Sequence, residues 1–153
     1  MGHVSKANIS LAGAGRVDLA DVAGPIKLEV AGSGTVVAGS SRDAKVEIAG
    51  AGDATLGAID GDLDLDVAGS GNLIAAKVNG RVSISIAGSG SVKIADGNAD
   101  PLKVDIMGSG KVRFGGNAVN PNISAMGSGN VWIKSYTGKM SSDGMVNVKV
   151  GNE

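Results

Sequence analysis

The densest run of side chains that could do chemistry is Asp60-Gly61-Asp62-Leu63-Asp64-Leu65-Asp66. Carboxylates at alternate positions of an extended chain share a face, and calcium takes roughly six to eight oxygen ligands. Asp62, Asp64 and Asp66 are therefore the metal candidates. Their spacing matches neither an EF-hand loop nor the glycine-aspartate repeat of calcium β-rolls, and carboxylates on a flat face do not converge. The reading is a solvated face with no metal and no cofactor. His3 is the single histidine and stands at a chain end, which argues against histidine acid–base or metal chemistry. Serines recur at one repeat position (Ser33, Ser70, Ser89, Ser109, Ser128), with Ala14 and Ala51 in the same place. No base accompanies these hydroxyls, so they read as structure. Glycoside hydrolysis needs two facing carboxylates and usually aromatic platforms, whereas Phe114, Trp132 and Tyr136 are all the aromatics the chain has. No catalytic residue is expected.

The elements that must position these groups follow from composition. The chain has 153 residues, 26 of them Gly, with Phe, Trp and Tyr once each. A core must come from many small and β-branched side chains. Collagen is excluded because Gly does not recur every third residue. Lys plus Arg is 14 against 15 for Asp plus Glu, a net charge of −1, so no nucleic-acid or anionic-membrane partner is expected from overall charge. Cysteine is absent, so disulfides are too. Met1 to Lys6 lack the apolar run of a signal peptide, and no stretch approaches a membrane span.

A tetrad recurs seven times: AGAG or AGSG at 12, 31, 49, 68 and 87, and MGSG at 107 and 126. Its first Gly falls at 13, 32, 50, 69, 88, 108 and 127, a period of 18 to 20 residues. Around it the pattern alternates with period two, as in Leu63-Asp64-Leu65-Asp66-Val67 and Val131-Trp132-Ile133, which is strand periodicity. Units this short cannot bury their own apolar face, so they must stack. Stacking like on like predicts an all-β, single-domain, right-handed parallel β-helix over 1–153, with repeats over about 7–135 and a closing strand or cap over 136–153. Seven to eight rungs are expected, and seven of about 4.8 Å each make a rod on the order of 34 Å long.

In this arrangement the tetrads are corners. The corner glycines are Gly13 and Gly15, Gly32 and Gly34, Gly50 and Gly52, Gly69 and Gly71, Gly88 and Gly90, Gly108 and Gly110, and Gly127 and Gly129. Unbroken alternation places both glycines of each pair inward and the residue between them outward. Pro25, Pro101 and Pro121 are placed where strands begin, since a missing N–H costs least there. The short polar stretches 39–43, 96–100 and 115–117 absorb the slips in period.

The units VAGSGTV, VAGSGNL, IAGSGSV, IMGSGKV and AMGSGNV resemble the repeats of the bacterial head GIN domain family, the head region of autotransporter adhesins. The resemblance spans about residues 7–135 and implies a right-handed parallel β-helix with GSG motifs at the corner between sheets. It also implies a cell-envelope, surface or secreted location and an adhesive role, and brings no catalytic residues. The resemblance implies an export signal and a longer segment before such repeats, and residues 1–6 are not expected to supply either.

Stacked rungs turn a fixed offset from the first Gly into a stripe. Three before it stand Ser10, Glu29, Glu47, Asp66, Ser85, Asp105 and Ser124; five before it, Asn8, Lys27, Lys45, Asp64, Ser83, Lys103 and Asn122. These read as a solvated face in which lysines relieve crowded carboxylates. At the C-terminal end, Met107, Met126, Met140, Met145, Trp132 and Tyr136 read as an end cap, with Trp132 and Tyr136 also a possible contact surface. At the N-terminal end, Ile9, Leu11, Val17 and Leu19 are left on an uncovered first rung, which predicts self-association there. The expected function is a non-enzymatic surface module for adhesion or envelope assembly, with a surface protein or polysaccharide as partner. The alternative is a carbohydrate-active β-helix protein, binding or cleaving polysaccharide.

Overall fold

The computed structural model describes residues 6–144 and 147–151. Alternating apolar residues and recurrent glycines leave no helical periodicity, and the described chain is all strand and turn. The strands are β1 (Ala7–Gly13), β2 (Arg16–Asp18), β3 (Pro25–Gly32), β4 (Thr35–Ala38), β5 (Asp43–Gly50), β6 (Asp53–Ile59) and β7 (Leu63–Gly69). They continue with β8 (Asn72–Gly88), β9 (Ser91–Gly108), β10 (Lys111–Val119), β11 (Asn122–Gly127), β12 (Asn130–Thr137), β13 (Ser141–Gly144) and β14 (Asn147–Val150).

Every pairing is parallel and joins a residue to its equivalent one repeat later. One column runs β1, β3, β5, β7, the second halves of β8 and β9, then β11 and β13. The other runs β2, β4, β6, the first halves of β8 and β9, then β10, β12 and β14. This is a parallel β-solenoid of about seven turns with a repeat near 19 residues. Its core is two sets of stacked ladders. Ile9, Leu28, Val46, Leu65, Ile84, Val104 and Ile123 stand in register in the first column. Val17, Val36, Ala54, Leu73, Val92, Val112, Val131 and Val148 do so in the second. From Leu28 to Ile123 and from Val36 to Val131 these side chains are buried, and β-branched residues suit such a pleated, stacked interior.

The tetrads fall between the two columns as predicted, but the two glycines of each have different surroundings. The first is exposed rather than inward: Gly108 lies at the surface, while Gly110 is buried. All seven first glycines have φ between +94° and +127°, a region closed to residues with a Cβ. A Cβ on Gly108 would lie 2.5 Å from the carbonyl oxygen of Gly88 on the rung before. The second glycine is needed for space, since a Cβ on Gly110 would lie 2.8 Å from Cγ2 of Ile86. Ordinary alternation hid this, because a positive φ turns the backbone outward for one residue and then restores the phase.

The opposite corner is built differently. Here carboxylates fasten each rung to the next: Asp43 Oδ1 accepts from the Asp62 N–H at 3.0 Å, and Asp62 Oδ1 accepts from the Arg81 N–H at 3.1 Å. Asp21 and Asn120 accept in the same way from Ser40 and Lys139, each 19 residues on. Pro25 begins β3 and Pro121 directly precedes β11. Pro101 departs from expectation and lies inside β9, where the pairing slips from Gly80–Ala99 to Val82–Leu102. Asp100 and Pro101 thus oppose Arg81 alone, a bulge that needs no ladder N–H from the proline. Ser41, in the polar stretch 39–43, is buried with no hydrogen-bond partner for its hydroxyl among the described residues. At the C-terminal end, β13 and β14 add a closing rung, with Met140 and Val148 packed partly against the core. Met145, assigned to the cap from sequence, lies outside the described residues, as does His3.

Gly108→Val is expected to destabilise by about 2–4 kcal/mol, from backbone strain and the clash with Gly88. Ser109→Ala leaves stability nearly unchanged, because Ala14 and Ala51 already occupy that exposed place. Thermal melts of the two variants check the ranking.

Candidate functional site

Stacking turns the outward positions into two flat faces, and each sorts charge along the rod. On the first column, Glu29, Glu47 and Asp66 are direct neighbours in register. Beside them run Lys27, Lys45 and Asp64. Lys27 Nζ lies 3.8 Å from Glu29 Oε1, with both side chains about half exposed, a pair worth at most about 1 kcal/mol. The three carboxylates line a shallow depression of ≈ 340 Å³. They stand side by side on one sheet face rather than opposite one another across a cleft.

The three aspartates of the cation run do not converge on one point. Asp64 and Asp66 are exposed on β7, while Asp62 is engaged by the Arg81 N–H at the far corner. Among the described residues no group of three His or carboxylate side chains is placed to hold a metal ion. The corner serines are exposed, and their N–H groups bond to the first glycine of the rung before, as Ser109 does to Gly88 O at 3.1 Å.

The second column carries a pattern that the stripes considered from sequence missed. One stripe on it reads Asp18, Val37, Thr55, Ile74, Lys93, Arg113, Trp132 and Lys149, each paired with the next. Its neighbour reads Arg16, Thr35, Asp53, Asn72, Ser91, Lys111 and Asn130. Beyond Asp53 neither stripe contains a carboxylate, while Lys93, Lys111, Arg113 and Lys149 are all exposed. The Arg113 guanidinium carbon lies 4.7 Å from the centre of the Trp132 ring, a cation–π contact. Along these residues runs a groove of ≈ 610 Å³. The signal was present in the sequence, three and five residues after each first glycine.

Of the interface candidates, Trp132 is half-buried against Arg113, and Tyr136 is 42% exposed. Met126, assigned to the cap from sequence, is paired with Met107 before the corner, and both are exposed. Ile9, Leu11, Val17 and Leu19 are partly buried against the core, and among the described residues β1 pairs with β3 alone. No helix among the described residues is long and apolar enough to cross a membrane.

Stacked identical rungs with shallow outward faces define a repeat protein of the parallel β-solenoid class. The chain belongs to the family described as "Putative auto-transporter adhesin, head GIN domain", whose model matches residues 1–99 and, overlapping, 63–142. That description names an adhesin head domain and not an enzyme. No curated protein and no solved structure matches the chain.

Glu47 stands between Glu29 and Asp66 in register, and like charges directly opposite destabilise a sheet. Glu47→Gln is expected to stabilise by about 0.5 kcal/mol at low ionic strength. Chemical denaturation at low and at high salt checks it, since the gain should shrink as salt screens the carboxylates.

Proposed function

We propose that this chain is a non-enzymatic module of the bacterial cell envelope or surface that works in adhesion or envelope assembly. The observation that supports this most is the geometry of its outward side chains. They form flat, in-register stripes on two faces, suited to spread contacts with an extended partner, and the carboxylates on them stand abreast. Family membership supports the surface location and the adhesive role. Beads coated with the chain should bind or cluster bacterial cells more than beads coated with an unrelated solenoid. No difference between the two coatings overturns the reading.

Assembly is proposed to begin at the N-terminal edge. Sheet edges are blunted in proteins by shortness, charge or proline. The edge strands β2, β13 and β14 have 3, 4 and 4 residues and carry Arg16 and Asp18, Asp143, and Lys149. In contrast, β1 has 7 residues, Ala-Asn-Ile-Ser-Leu-Ala-Gly, with neither charge nor proline. A second copy meeting it head to head satisfies the ladder groups that no described residue pairs and covers Ile9 and Leu11 in one closed, isologous contact. Light scattering at high micromolar concentration should report a dimer. Asn8→Lys with Ser10→Lys, which leaves the apolar packing of β1 intact, should return a monomer. A monomeric parent overturns the proposal.

A further inference from the structure

The geometry points to an anionic polysaccharide as the ligand of the groove on the second column, held by Lys93, Lys111, Arg113 and Lys149. The inference deepens the surface-module reading and rests on it for the polymer's source. Its physical basis is separate. A chain of net charge −1 places four cations on two adjacent stripes that carry no carboxylate beyond Asp53. Among the described residues Lys93, Lys111 and Lys149 form no ion pair with protein carboxylates. Lys93 and Arg113 are one rung apart, about 4.8 Å, and Lys149 lies two rungs beyond Arg113 on the same stripe. Positive charge thus recurs along the rod at intervals of one and then two rungs, about one and two pyranose rings, a spacing that suits a linear polymer bearing carboxylate or sulfate on its sugars.

The site is also built to hold its cations in place. Trp132 lies between Arg113 and Lys149 in register, and its ring bears the Arg113 guanidinium at 4.7 Å. That contact limits the freedom of a long side chain and so lowers the entropy lost when an anion binds. A shallow open groove suits a polymer lying along the rod better than a small ion, which would need convergent donors. Ser91, on the neighbouring stripe, adds a hydroxyl beside the cations for sugar hydroxyls.

Trp132 is the only tryptophan, so its fluorescence reports this groove and nothing else. The full chain should be titrated with polygalacturonate, heparin, neutral dextran and duplex DNA. Saturable change with polygalacturonate or heparin, weakened by salt and absent with dextran, is expected; the better of the two identifies carboxylate or sulfate as the preferred group. Lys93→Glu with Lys111→Glu should weaken binding at least tenfold, while Lys103→Glu with Lys139→Glu, away from the groove, should leave it within twofold. Lys93→Gln with Lys111→Gln replaces the first pair if that variant does not melt like the parent. No response to either acidic glycan, equal losses in the two charge pairs, or tighter binding of DNA than of glycan each overturns the inference. If the glycans fail while coated beads still cluster cells, this ligand assignment falls and the surface-module reading stands; if both fail, both fall.

Discussion

The structure depends on one backbone contact, repeated at each tetrad corner: a glycine stacked directly on the glycine of the rung before. The N–H of the residue after the first glycine donates to the previous first glycine, from Ser33 on Gly13 at 3.2 Å to Ser128 on Gly108 at 3.0 Å. Two residues later a second ladder runs from Thr35 on Gly15 to Asn130 on Gly110, at 2.9 and 3.1 Å. Parallel hydrogen bonding therefore continues around the bend. A Cβ on the first glycine would collide with the carbonyl that accepts this bond. Close approach and positive φ are thus one requirement.

With one corner held in this way, the rest of the rung can vary. Slips in period are taken up at the opposite corner, where side-chain carboxylates and amides replace backbone stacking. Asp43 and Asp62 act in succession there, and the Asp100–Pro101 bulge accommodates an additional residue without moving Leu102 out of line with Val82. The interior tolerates the exchange of Leu56 for Ala75 and of Ile94 for Phe114 along a single ladder because the stack averages volume over neighbouring rungs.

The same register governs the surface. Side chains equivalent in sequence lie about 4.8 Å apart, so a local excess of either charge becomes a continuous stripe. Glu29, Glu47 and Asp66 accumulate on one face near the N-terminal end, and Lys93, Lys111, Arg113 and Lys149 on the other toward the C-terminal end. A near-zero net charge describes neither face. Overall charge averages out the sorting that the register creates.

The repeat was fully legible in the sequence, because each turn must bring like residues back to like positions. Strand periodicity around GSG left parallel stacking as the only way to bury Leu28, Val46, Leu65 and their equivalents. The inward and outward identity of strand residues was legible for the same reason: a side-chain period of two has only two phases. Where the backbone leaves that regime, sequence alone was insufficient. Gly108 is exposed although alternation places it inward, because its positive φ sets its direction. The pairing of Arg113 with Trp132, 19 residues apart, likewise needed the register of two neighbouring rungs. The sequence by itself determined the repeating unit and its core. Tertiary structure decided how corners close and which charges meet, since both depend on what one rung places against the next.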